Sequence, residues 1–214
     1  MNNKERIRKI IAVFAKENPS PKTELSYKTP YELIVAVILS AQCTDVRVNK
    51  ITPGLFEKIP DFKSMAVADI VEIYECIKSC SYPNNKAKNL KGMAEMVVNE
   101  LNGQLPKDES ELQKLPGVGR KTANVVASVL YSKAVMAVDT HVFRVARRIG
   151  LAKDATTPLA VEKAIMLITP KKDIPDLHHW LILHGRYICK AQKPLCVKCP
   201  ITSYCDYFRK TPVK

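Results

Sequence analysis

The sequence predicts an all-α fold, and three observations carry that expectation. Apolar residues recur at helical spacing along nearly the whole chain. Capping residues, prolines and glycines mark where helices begin and end. No segment sustains strand alternation between turn signals. Together they predict roughly ten short helices. No internal repeat, low-complexity stretch or flexible linker interrupts them, and periodicity alone does not locate a domain boundary.

Taken in order, Ile7, Ile10, Ile11 and Phe14 give the first helical stripe. Thr29–Glu32 reads as a capping box with Pro30 at the first helical position, and it opens "YELIVAVILSAQ". That run is apolar on most sides, so a buried helix is expected. Ile70, Ile73, Tyr74 and Ile77 repeat the pattern, as do Leu90, Met93, Ala94 and Val97, whose helix should stop at Asn102–Gly103. Asp108 is the expected cap of a short helix, with Glu111 three residues on. Ala123, Val126, Ala127 and Leu130 share one face, and Val142, Val145, Ala146 and Ile149 another, ended by Gly150. Thr157–Pro158 starts a helix carrying Val161, Ala164, Ile165 and Ile168, and Asp176 is the expected cap of "LHHWLILHGRYIC".

A formal net charge of +13, from 34 Lys+Arg against 21 Asp+Glu, points to a polyanionic partner, with nucleic acid foremost. The N-terminal segment lacks the apolar run and cleavage site of a signal peptide. No apolar run approaches the roughly 20 residues of a spanning helix. No membrane association and a cytoplasmic protein are therefore expected, and the 7 cysteines are not expected to form structural disulfides.

The stretch "LPGVGRKTANVV", Leu115–Val126, uses two of only 7 glycines. A tight turn at Gly117–Val118–Gly119 feeds a helix whose N-terminal N–H groups and dipole suit a phosphate, with both glycines able to adopt φ > 0. With the short helix upstream this is a helix–hairpin–helix, which grips a nucleic-acid backbone without reading sequence. Arg120 and Lys121 open the second helix. A lysine there faces the positive end of the dipole, and that repulsion with partial burial favours the neutral, nucleophilic amine. Phosphate contact is its alternative role. In "MAVDTHVFRVARR", Asp139 reads as a helix N-cap. The same carboxylate near an amine nucleophile can stabilise a sugar cation and manage protons.

Four cysteines, Cys189, Cys196, Cys199 and Cys205, are spaced C-x6-C-x2-C-x5-C. Four thiolates suit zinc or an iron–sulfur cluster, although the usual zinc ribbon has two CxxC knuckles and here there is one. Cys43, Cys76 and Cys80 show no ligand spacing and read as small apolar residues. His178, His179 and His184 do not align on one helix face and read as packing or hydrogen-bonding residues; Trp180 reads as core.

"LPGVGRKTANVV" followed by "VDTHVFRV" resembles the endonuclease III family of bifunctional DNA glycosylases and abasic-site lyases. "ILSAQCTDVRVNK", "NNKAKNL" and "HHWLILHGRYIC" extend the likeness over nearly the whole chain. The resemblance implies two helical domains flanking a DNA-binding cleft: a central barrel at 23–134, and 1–22 joined to 135–214, which holds a [4Fe–4S] cluster. It implies removal of damaged bases, oxidised pyrimidines foremost, by base flipping, and cleavage of the abasic site through a lysine Schiff base. Lys121 is then the nucleophile and Asp139 its assistant. Cys189, Cys196, Cys199 and Cys205 are the cluster ligands. The implied DNA contacts are Gln42, Asp45, Tyr82, Gly117, Val118, Gly119, Arg120, Lys190 and Lys193, with Gln42 filling the space the flipped nucleotide leaves. The partner is double-stranded DNA with damaged bases or abasic sites, and the protein a bacterial, nucleoid-associated monomer. Gln42, without a glutamate in "VILSAQCTD", argues against the related adenine glycosylases. One segment departs from the family: in "CSYPNNKA" the usual glycine, leucine and tyrosine become Ser81, Tyr82 and Pro83, which makes Tyr82 the expected wedge. A DNA-binding module without catalysis is the alternative, and Lys121 and Asp139 both being present argue against it.

Overall fold

Eight of the ten residues of the helix Pro30–Leu39 are buried, as its apolar circumference demands. The computed structural model describes residues 1–211, so only the last three residues of the expected 135–214 segment lie outside it. Twelve α-helices and three short 3₁₀ turns make up the described residues, with no strand. The chain divides into two units by its contacts: Thr23–Ser132, and Met1–Lys22 with Lys133–Lys214. No helix among the described residues is long and apolar enough to cross a membrane.

In the continuous unit, α2 (Pro30–Leu39) packs against α3 (Asp45–Lys58), α6 (Pro83–Glu100) and α8 (Arg120–Tyr131). The short helices α4 (Phe62–Val67) and α5 (Ile70–Ile77) lie on α6, and α7 (Glu109–Leu112) lies on α8. Thr29 caps α2 by accepting from the Glu32 N–H. Glu32, however, reaches past Thr29 to the Lys28 N–H, so the expected reciprocal box is displaced by one residue. Asp108 caps α7 through the Ser110 N–H, while Glu111 turns outward to Lys114. Helix α6 stops before Asn102 and Gly103, both left-handed, and the Gly103 N–H returns to the Val97 carbonyl.

The other unit joins α1 (Asn3–Glu17) to α9 (Thr140–Ile149), α10 (Pro158–Ile168), α11 (Ile174–Tyr187) and α12 (Asp206–Lys210). Ile7, Ile10 and Phe14 of α1 enter one core with Val145, Val161 and Leu181. Trp180 is in this core, its indole N–H donating to the Asn18 carbonyl at 2.9 Å. Asp176 does not cap α11. A 3₁₀ turn, Lys171–Asp173, runs directly into the helix at Ile174, and Asp176 lies inside the first turn, where its charge suits the dipole. Gly150 ends α9 with φ 92. There the buried Arg6 donates to the Ile149 carbonyl at 2.8 Å and pairs with Asp206 at 3.0 Å.

A Cβ at Gly150 would overlap the Asp206 carboxylate and Arg6 guanidinium, whereas one at Gly103, with φ 77, meets nothing within 4 Å. Gly103→Ala should therefore cost about 1–2 kcal/mol from left-handed strain alone. Gly150→Ala should cost at least about 1 kcal/mol more, because an ion pair must also move. Denaturant titration of both variants beside the parent checks this, and equal losses would refute it.

Candidate nucleic-acid interface and thiol cluster

Between α7 and α8 the chain turns through the seven residues 113–119. Leu112, Leu115 and Val118 are buried and anchor the turn. Gly117 is left-handed at φ 77, and a Cβ there would lie 2.8 Å from Asn89 Cβ, so only glycine fits. Gly119 differs from expectation: its φ is −82, and it serves as the extended N-cap of α8. Nothing lies within 4 Å of where its Cβ would be, so this position opens outward. Val118 packs its side chain inward. Its side chain is 5% exposed and its N–H donates to the Leu115 carbonyl at 3.0 Å, so it is a hydrophobic anchor.

No side chain caps α8. Arg120 and Lys121 follow as its first two residues, both exposed, so the partial burial expected of Lys121 is not present in the free chain. This edge offers a positive helix end, an open glycine and a primary amine to an anion. Asp139, in the other unit, caps α9 by accepting from the Val142 N–H at 2.8 Å and is half-buried.

Gln42 and Tyr82 occupy two adjoining loops of the continuous unit. Both are exposed and both are left-handed, at φ 53 and φ 56. Pro83 does not hold Tyr82 extended as the pre-proline preference suggests. Instead Tyr82 is the N-cap of α6, with its carbonyl accepting from the Lys86 N–H. Ser81 Oγ donates to the Gln42 carbonyl at 2.7 Å. Beneath them the buried Lys86 ammonium donates to the carbonyls of Leu39 at 2.8 Å and Ala41 at 2.7 Å. Burial pushes the Lys86 amine below the ordinary lysine value. Cys43 and Cys80 meet at 3.7 Å between sulfurs in the same junction. Burial, then the Cys43 contact, pushes the Cys80 thiol up to about 11. Asp45 begins α3 just beyond Thr44, its cap. Sequence reading passed over Lys86, although a lysine four residues before Leu90 lies on the buried stripe of α6 and signals a paired ammonium.

Cys189, Cys196, Cys199 and Cys205 line one small cavity with apolar walls that include Ile149 and Ile201. The sulfurs sit around its walls; among the described residues no three potential ligands converge on a single ion. Burial pushes Cys199 up to about 11 and Cys205 upward as well. Ionising Cys199 and Cys205 in these surroundings requires a strongly cationic partner. Arg148 ties the loop down, donating to the carbonyls of Lys190 at 2.7 Å and Ala191 at 2.9 Å and approaching Cys189 Sγ at 3.6 Å. Lys190 and Lys193 are exposed on that loop, and Lys193 is left-handed at φ 47. His184 Nε2 lies 3.7 Å from Cys199 Sγ, and burial pulls its pKa down to about 4, so the ring is neutral.

Known proteins share this arrangement. Residues 35–171 match the HhH-GPD superfamily base excision DNA repair protein family. Endonuclease III of Rickettsia felis is 50% identical over 202 residues, covering 94% of each chain. Endonuclease III of Escherichia coli is 40% identical over 213 residues, covering 100% of each. The solved structure of a trapped endonuclease III–DNA covalent intermediate superimposes with a TM-score of 0.91 at 44% identity, covering 98% of this chain and 99% of that one.

Lys86→Met keeps the apolar stem but leaves the Leu39 and Ala41 carbonyls without their donor. We expect a loss of about 2–4 kcal/mol in denaturant titration. A loss under about 0.5 kcal/mol would show that the ammonium is replaceable by water.

Proposed function

We infer the reaction from one premise: the chain belongs to the HhH-GPD superfamily of base excision DNA repair proteins, within the endonuclease III family. It is a DNA glycosylase with abasic-site lyase activity, and DNA is its partner. The residue roles below are our proposal, with damaged bases in double-stranded DNA, oxidised pyrimidines foremost, as the substrate.

The observation that carries the proposal is the exposed Lys121 at the uncapped start of α8, beside the open face of Gly119. A DNA phosphate docks at this helix end, with Gly117 shaping the turn and Arg120 adding charge. Covering by DNA supplies the desolvation that the free chain does not give Lys121. Its Nζ attacks C1′ of the extruded nucleotide. The C1′–N glycosidic bond breaks, and its electron pair leaves with the base, which takes up a proton. Asp139 offsets the developing sugar cation and accepts the amine proton. The sugar ring then opens to a C1′=N Schiff base with Lys121. Loss of a C2′ proton expels the 3′ phosphate and nicks the strand.

Base flipping leaves a gap that must be held open. Gln42 fills it, and Tyr82 stacks against the neighbouring bases, a contact worth about 1–3 kcal/mol. Asp45 flanks the Gln42 loop, and Lys190 and Lys193 contact phosphates from the cysteine loop. The four thiols fit a [4Fe–4S] cluster: four sulfur donors surround one apolar cavity, and Cys199 and Cys205, pushed upward by burial, need a cationic partner to ionise. Cys189, Cys196, Cys199 and Cys205 would hold it. When bound, the cluster supplies iron that accepts four thiolates and cross-links the loop. We place the enzyme's work in the bacterial cytoplasm, on nucleoid DNA, as a monomer.

Lys121→Gln should abolish borohydride trapping on abasic DNA while binding persists, because the hairpin N–H groups remain; trapping that survives would assign the chemistry to another amine. Asp139→Asn retains a cap of similar strength. It should slow base release by at least about tenfold while cleavage of a ready-made abasic site falls less. Wild-type base release would leave Asp139 a cap alone.

Iron analysis of protein purified without oxygen should return about four irons per chain with broad absorbance near ~400 nm. One zinc per colourless chain would overturn the cluster.

A further inference from the structure

Cys43 and Cys80 have no part in the reaction or the cluster, yet they are placed at its most sensitive junction. Cys43 follows Gln42 directly, and Cys80 precedes Tyr82 by two residues. Their sulfurs stand 3.7 Å apart, and one residue on, Ser81 Oγ ties the same two loops through the Gln42 carbonyl. We propose that Cys43 and Cys80 form a reversible disulfide under oxidation, making this loop junction a thiol modification site that controls insertion into DNA. The control part rests on the roles proposed for Gln42 and Tyr82; the modification itself does not.

The pair is asymmetric in the way a peroxide-driven disulfide requires. Cys43 is partly exposed and meets the oxidant, whereas Cys80 is 4% exposed and waits behind it. The Cys43 thiolate attacks a peroxide oxygen, the O–O bond breaks, and Cys43 becomes a sulfenic acid as the first water leaves. Cys80 then attacks that sulfur, the S–O bond breaks, and the second water leaves with the remaining thiol proton. Two thiols and one hydrogen peroxide give one disulfide and two waters, with two electrons passing from sulfur to peroxide. Burial, then the Cys43 contact, keep Cys80 a neutral thiol, so its place 3.7 Å from the Cys43 sulfur, rather than acidity, makes it the resolving group. A cytosolic thiol reductant reverses the bond by exchange.

The consequence follows from the distance. A disulfide holds its sulfurs about 2.05 Å apart. From 3.7 Å, the two sulfurs must draw together by more than an ångström, and the closed bond ties the roots of both loops to each other. Displacements near 1 Å in a positioning element cost up to about 10²-fold in rate. Both loops are strained at left-handed residues and share one hydrogen bond, so the bond would shift Gln42 and Tyr82 together.

The test uses the iron-loaded protein, reduced, then exposed to a few equivalents of hydrogen peroxide. Free thiols are alkylated, the chain is digested without reductant, and iron content is followed in the same sample. The expected product is a Cys43–Cys80 linked peptide that dithiothreitol releases. Base release from a lesion in duplex DNA should fall by about tenfold with iron retained and recover on reduction. Cys43→Ser should keep its activity through the same treatment. Absence of the linked peptide, or a Cys76–Cys80 link in its place, overturns the modification site without touching the glycosylase assignment. A formed link with unchanged duplex activity, or Cys43→Ser losing as much as the parent, overturns the control of insertion.

Discussion

Burying α2 on nearly every side creates the constraint on which the continuous unit turns. A helix end leaves carbonyls without intrahelical partners, and at the buried end of α2 water is not at hand to satisfy them. The chain answers with Lys86, whose ammonium reaches the Leu39 and Ala41 carbonyls from α6. The device is used twice, since Lys91, further along α6, donates to the Ala66 and Ala68 carbonyls at the end of α4. Anchoring α6 in this way fixes where its first turn starts, and so fixes Tyr82 beside the Gln42 turn. A core requirement thereby sets the position of two exposed side chains that contribute nothing to the core.

Left-handed backbone at residues other than glycine costs on the order of 1–3 kcal/mol and persists where its surroundings enforce it. Five such residues occur among those described. Asn102 and Ser132 end helices, which is an ordinary use of this conformation. Gln42, Tyr82 and Lys193 instead stand exposed on loops held from below, by Lys86 in one case and Arg148 in the other. Strain at exposed positions over braced roots is what a preorganised contact surface requires, because the ordering entropy is met before the partner arrives.

The parts of the fold legible in the sequence were those written locally. Thr29 with Pro30, Thr157 with Pro158, and Gly150 each set a helix boundary within one turn, and the structure has those boundaries where the residues put them. Asp176 was misread because its side chain suits both a cap and a first-turn position, and only the preceding 3₁₀ turn decides between them. Of the two hairpin glycines only Gly117 uses the left-handed freedom that both possess; Gly119 is extended. Contacts at long separation were invisible. Nothing in the spacing of Cys43 and Cys80 announces that they meet, and Ser81 looked like a mere departure from the family pattern. The hairpin is legible because its turn depends on residue types at fixed local spacing, whereas the roles of Lys121 and Asp139 follow from the family resemblance and not from spacing alone.

Arg6 has a temporal consequence. It lies in the first helix, yet both of its partners, the Ile149 carbonyl and Asp206, come from the far part of the chain. A ribosome adding about 5–20 residues per second takes roughly 10–40 s to travel from the first of these residues to the last. Throughout that interval the Thr23–Ser132 unit has all of its own sequence long before α1 has its partners. Ile7, Ile10 and Phe14 are therefore made well ahead of Val145, Val161 and Leu181, the residues that cover them in the finished core.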